Sequence, residues 1–324
     1  MADPRIYQFL VLFTLTICLV LIIISSLMHI GNVGIGSADW PASYGLIGEH
    51  GTALGTSAST SSAILPAPLV DRAHRAIASF LQLLIIAVFV MALRQRKHSK
   101  LSISIPSLAL GLSFFLAFLG MWFGSPLRYP VVVILNLTGG ISLLALYWWL
   151  TMDIYAAKKN EVRVIPEIKG LAVAALVVLI AEILLGAWTD AYYAAIACTT
   201  FPDCQGQWLP GLNLWAGLSM LGTLNVDAYG KVIIDQAIAA DIHMAHRVGA
   251  LVAFIVIGWL AVKAWVAGAR LSAAFLLLLL LIQATLGIAT AMGNLTLMVV
   301  VCHSVLSALL VVGTLTLIHQ SRSE

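Results

Sequence analysis

Eight stretches of the chain are so long and so apolar that water cannot be their solvent. They run approximately over 6–28, 72–93, 105–123, 130–150, 170–188, 242–265, 272–291 and 297–318. A helix needs about 20 mostly apolar residues to cross a bilayer, and a helix satisfies its own backbone polar groups in hydrocarbon. An all-α integral membrane protein with eight transmembrane helices is expected. Composition agrees: 61% of the 324 residues are hydrophobic and 10% are charged, against about 25% charged in soluble domains. The net charge of +3 is small and spread over loops, which excludes nucleic acid as an expected partner. The first stretch follows only Met-Ala-Asp-Pro-Arg and is too long for the core of a cleavable signal peptide, so it reads as a retained helix.

Lys and Arg set the orientation, because they accumulate on the cytoplasmic side. With a cytoplasmic N-terminus, 12 of the 17 Lys and Arg residues fall inside, among them the runs at 94–100 and 158–169. Both termini are then cytoplasmic, the long loops 29–71 and 189–241 face outward, and a bacterial-type inner membrane is the expected location. Cys18 and Cys302 lie within helices and read as small apolar packers. Cys198 and Cys204 share the second outer loop. An oxidising compartment would join them as a disulfide, with two free thiols as the alternative. His50, His98 and His319 are expected to be solvated.

The chain repeats its plan. Each half offers a helix, a long outer loop, a helix, a short inner loop and a two-helix hairpin. Asp71-Arg-Ala-His74-Arg75 lines up with His243-Met-Ala-His246-Arg247 at an offset of 172 residues. Asn136 lines up with His303 at an offset of 167. Two pseudo-repeated four-helix bundles are expected, over 1–155 and 165–324, with the charged inner loop as their boundary.

His246 and His303 carry the chemistry. An imidazole in hydrocarbon is costly unless its nitrogens are taken up. The expected spans put these two about five and six residues inside their outer ends, so each lies about 7–9 Å deep at 1.5 Å per residue. A common level lets two helices ligate one haem iron from opposite faces. Arg247 follows at the interface, where a haem propionate is a fitting partner. The alternatives are two rings that merely pack and bond carbonyls, or a zinc ion with His243 one turn away. No Cys-x-x-Cys-His attachment motif is present, so any haem is non-covalent.

In the first half the matching positions are His74 and Asn136, with Arg75 as the counterpart of Arg247. Asn is a weak iron ligand, which makes this half the site of a transient, exchangeable haem. Asp71, one turn before His74, is either a proton-handling carboxylate or a helix N-cap. Glu182 and Gln283 occupy similar settings, Glu-Ile-Leu-Leu-Gly and Gln-Ala-Thr-Leu-Gly. Their first reading is interhelical hydrogen bonding, with a proton route through Glu182 as the second.

Taken together, Gly36-Ser37-Ala38-Asp39-Trp40-Pro41 with Ser43-Tyr44-Gly45, Ala73-His74-Arg75, Cys198-x5-Cys204-Gln205-Gly206-Gln207-Trp208-x-Pro210, Ile242 to Ala250, and Cys302-His303 resemble the haem A synthase family of cytochrome oxidase assembly. The resemblance spans nearly the whole chain. It implies eight helices in two halves and oxidation of a haem O methyl group to the formyl group of haem A. It assigns haem b to His246 and His303, and the substrate haem O to His74, with Asp71 as the catalytic acid. It also implies an external electron donor and delivery of haem O by a haem O synthase, and it leaves room for a homo-oligomer. The chain carries Asn136 and Asp71 where the family pattern has His and Glu, and it lacks the family's cysteine pair between His29 and Asp71. A non-catalytic haem-handling assembly protein is the second expectation. A quinol-linked b-type electron carrier ranks last, since it would want haem sites at two depths.

Overall fold

A computed structural model describes residues 4–32, 67–95, 103–122, 129–156, 165–208, 232–292 and 296–322, with a few between 211 and 227. The Gly36–Gly45 motif, His50, the low-complexity run at 52–62, His98, Pro210 and the side chain of His29 lie outside the described residues. Eight long helices are described: α1 (Pro4–Asn32), α2 (Ala67–Gln95), α3 (Ser104–Trp122), α4 (Pro130–Ala156), α5 (Lys169–Ala191), α6 (Gln236–Val266), α7 (Arg270–Ala291) and α8 (Leu297–Gln320). All eight are long and apolar enough to cross a membrane. The protein is an all-α integral membrane protein.

The helices present large apolar side chains outward, among them Phe9, Leu83, Met121, Leu251 and Ile255. On a soluble protein such a surface would aggregate; here it meets hydrocarbon. Between helices, small residues share the core with large ones such as Tyr147 and Leu260. Ala172, Ala175, Ala264 and Ala308 are fully buried, which lets backbones approach closely where no hydrophobic effect drives association. Buried hydroxyls of Thr14, Thr151 and Thr314 donate to carbonyls four residues back, so none is orphaned.

Neighbouring helices close two rings. α1 packs on α2, α2 on α3, α3 on α4, and α4 returns to α1; α5, α6, α7 and α8 close in the same manner. α4 and α1 lean on α8, and α4 also on α5, so these four helices make the central seam. The end of that seam at the C-terminus of α8 is polar. His319 Nε2 lies 3.0 Å from Asp153 Oδ1, Arg322 Nη1 lies 3.4 Å from the same oxygen, and the Arg322 guanidinium stands over the Trp149 ring. The expectation of a solvated His319 is therefore wrong. Asp153 is 166 residues distant and invisible to a local reading.

Two ends are set locally. Asp235 caps α6, its Oδ1 accepting from the amides of Ala237 and Ile238, so the helix begins six residues before the expected span. α6 ends on Gly268 at φ +95°, with the amide of Ala269 donating to Ala264 O and that of Gly268 to Trp265 O. Only a residue free of a Cβ adopts that left-handed turn cheaply, and it folds α7 directly back along α6.

Candidate functional site

His246 on α6 and His303 on α8 stand on opposite corners of the second ring, with α5 and α7 at the other two. Each imidazole meets a polar side chain and a glycine of an intervening helix. On α5, Glu182 Oε1 lies 2.8 Å from His246 Nδ1, and a Cβ at Gly186 would stand 3.0 Å from His246 Cε1. On α7, Gln283 Nε2 lies 3.3 Å from His303 Nε2, and a Cβ at Gly287 would stand 3.2 Å from His303 Cε1. In both helices the glycine follows the polar residue by four positions, so it sits one turn along the same face. The missing side chain is the space that the ring occupies.

The α5–α6 contact is reciprocal. A Cβ at Gly249, three residues after His246, would collide with Glu182 Oε2 and come within 2.9 Å of Leu185 Cδ1. Gly186 therefore seats His246, and Gly249 seats Glu182. The sequence signal was the shared Glu/Gln-x-x-x-Gly spacing; what it missed was that both motifs face histidines.

Four polar atoms at these rings are buried with no aligned hydrogen-bond partner: Glu182 Oε2, His246 Nδ1, Gln283 Oε1 and His303 Nδ1. The 2.8 Å approach of Glu182 to His246 is close but not aligned as a hydrogen bond, so Nδ1 still counts among them. Native interiors rarely leave such groups unmet. Two half-buried imidazoles on diagonal helices, each with a buried Nδ1 that lacks an aligned protein partner and each seated on glycine, could hold an iron porphyrin. Among the described residues no group of three His, Cys, Asp or Glu is placed to hold a metal ion.

Over the N-terminal turns of α6 packs the described part of the loop between α5 and α6. Cys198 and Cys204 form a disulfide. Between Cys204 and Gln207 the chain turns through Gln205 at φ +53° and Gly206 at φ +84°, a two-residue hairpin turn of the kind that needs both central residues left-handed. Arg247 grips this loop from below. Its Nη1 donates to Thr200 O at 2.7 Å and Asp203 O at 2.8 Å, and its Nη2 donates to Cys198 O at 2.8 Å. Only Nε is left buried without a partner. Tyr192 and Tyr193 pack under the same cap; burial pushes Tyr192 up to about 12 and raises Tyr193 further, so both phenols are neutral. Asp241 and His243 are buried there too, in the first two turns of α6.

Replacing Arg247 by Met keeps the apolar stem and removes the three bonds. Hydrogen bonds from a charged donor contribute about 1.5–3 kcal/mol each but are shared here among carbonyls of one loop. A net loss of about 2–3 kcal/mol is expected, read as lower thermal stability and faster proteolysis at 198–208.

In the first ring, α2 begins at Ala67, so Asp71 lies in its second turn and is not an N-cap. It pairs instead with Arg75, Oδ2 to Nη2 at 3.2 Å, on an exposed stretch. His74 and Asn136 are half-buried on the diagonal helices α2 and α4, and no hydrogen bond joins them among the described residues. Gly120 of α3 has nothing within 4 Å of where its Cβ would be, unlike Gly287. Cys18 is buried as expected, whereas Cys302 is exposed. With His303 turned into the ring, its chain neighbour is carried to the outer face.

The COX15-CtaA family, described as a cytochrome oxidase assembly protein, matches residues 8–315. A protein of Shewanella oneidensis named heme A synthase is 32% identical over 314 residues, covering 94% of this chain and 93% of that protein. A second heme A synthase, from Sphingopyxis alaskensis, is 26% identical over 185 residues, covering 57% of this chain and 49% of its own length.

Proposed function

The chain belongs to the COX15-CtaA family of cytochrome oxidase assembly proteins, and from that premise we propose that it is a haem A synthase, oxidising a ring methyl of haem O to the formyl group of haem A. The full-length relative of that name supports the enzymatic reading over the haem-handling one. The observation that carries the proposal is the pair of imidazoles on diagonal corners of the second ring, each seated on a glycine and met by a polar side chain.

In this reading 165–324 is the cofactor half. His246 and His303 hold haem b without a covalent tether, and Arg247 anchors the loop that roofs the pocket. When bound, that haem supplies one-electron transfer between an external donor and the substrate side. The half spanning 1–155 receives haem O, with His74 as its ligand, Asn136 across the ring, and Arg75 near the propionates. Asp71 is the nearby carboxylate that handles protons, held in place by Arg75. A haem O synthase is the chemical source of the substrate. Cytoplasmic termini agree with the distribution of Lys and Arg, and a disulfide between Cys198 and Cys204 agrees with an oxidising outer side.

Co-expression with a source of haem O tests the activity. Extracted pigment is expected to contain haem A, and pigment containing only haem O would sink the proposal. His74→Ala separates the halves: it is expected to abolish conversion while the purified protein keeps a low-spin haem b spectrum.

A further inference from the structure

Glu182 and Gln283 hold equivalent places on their helices but differ in charge and in the ring atom they approach: Glu182 Oε1 faces His246 Nδ1, whereas the Gln283 amide faces His303 Nε2. Each sits four residues before a glycine that seats a histidine, and each reaches that histidine from an intervening helix at 2.8 and 3.3 Å. Both side chains are recessed: the Glu182 side chain is 12% exposed and its Oε2 is buried, as is Gln283 Oε1. A carboxylate at that depth is costly without a partner, and the partner placed beside it among the described residues is His246. Gly249 keeps a slot open for the carboxylate itself, and position 306 of α8, the counterpart of Gly249 beside His303, is Leu.

The chemistry of the two groups differs. A carboxylate can only accept, whereas an amide can turn to present its oxygen or its nitrogen. An imidazole that gives one nitrogen to a metal carries a proton on the other. Whatever accepts that proton's hydrogen bond fixes the ring and raises its basicity, and a carboxylate does so more strongly than an amide. Resting on the haem b reading above, we propose that Glu182 and Gln283 are positioning residues for His246 and His303, the histidines that would hold it. Their difference in charge makes His246 the stronger donor to iron and His303 the weaker. The pair then sets the affinity and the reduction equilibrium of the cofactor, and neither residue touches substrate.

The test uses the full-length purified protein with its bound haem, titrated spectroelectrochemically beside Glu182→Gln, Glu182→Asp and Gln283→Glu. Removing the carboxylate stabilises ferrous haem relative to ferric. At a fixed ambient potential the reduced-to-oxidised ratio in Glu182→Gln is expected to rise about tenfold, a change of the size that such partners make in metal affinity. Glu182→Asp should restore part of the shift, and Gln283→Glu should move the ratio the opposite way. The electron spin resonance signal of the low-spin ferric haem should change in both. If Glu182→Gln loses haem yet keeps its disulfide and its unfolding transition, the positioning role is supported; if it does not fold, Gln283→Glu decides. A wild-type ratio and signal in Gln283→Glu and in every folded Glu182 variant overturns this inference alone. Wild-type protein that binds no haem overturns the cofactor reading, and this inference with it.

Discussion

His246→Ala and His303→Ala are each expected to abolish the low-spin haem b spectrum of the purified protein. Either change removes one of two imidazoles that stand on opposite corners of the second helix ring, and a six-coordinate low-spin iron needs both. The single-histidine product should bind haem more weakly and show a high-spin spectrum where any haem is retained. His243→Ala is the control. That ring is buried in the first two turns of α6 beneath the disulfide loop, and its removal should leave the low-spin spectrum in place. Low-spin spectra surviving in both ligand variants would refute the shared-iron arrangement, and loss in His243→Ala would move the ligand to the wrong histidine.

Glycine substitutions should show the second large effect, with an internal sign test. Replacing a helical Gly by Ala ordinarily stabilises, by about 0.5–1 kcal/mol. At Gly249 the added Cβ would fall on the Glu182 carboxylate and within 2.9 Å of Leu185 Cδ1. At Gly186 it would press on the His246 ring at 3.0 Å. Overpacking of this kind costs about 1–3 kcal/mol, so the usual gain is outweighed and both variants should melt earlier. Both should also bind less haem, because His246 and its neighbour Glu182 are the groups displaced. Gly120→Ala, where nothing lies within 4 Å of the new carbon, should keep the ordinary stabilising sign. Equal shifts at all three positions, measured by thermal unfolding in detergent, would mean that the close packing at His246 has no energetic weight.

Much of the molecule was legible before folding. Each expected span falls within one helix, apart from a single residue at the end of α3, because twenty-odd apolar residues have few other options in a bilayer. Cys198 and Cys204, six residues apart in one loop, were within easy reach of each other and are joined. The boundary of α6 was misjudged because hydrophobicity marks where a helix enters the membrane. Asp235 marks where the helix starts, in an aqueous cap that apolarity does not report.

What the chain alone determined was local and periodic: the number of spans, the excess of Lys and Arg at one face, and two histidines inside apolar helices. Partnership across the bundle was decided only by tertiary structure. Glu182 meeting His246, Gly249 accommodating Glu182, Arg247 turned to the carbonyls of the disulfide loop, and His319 bound to Asp153 all join residues 44 to 166 positions apart or on separate helices. In a bilayer every outward face is equally apolar. Hydropathy therefore says that a helix exists but not which way it is turned, and the rotation of α5 to α8 about their axes is what makes these polar groups meet.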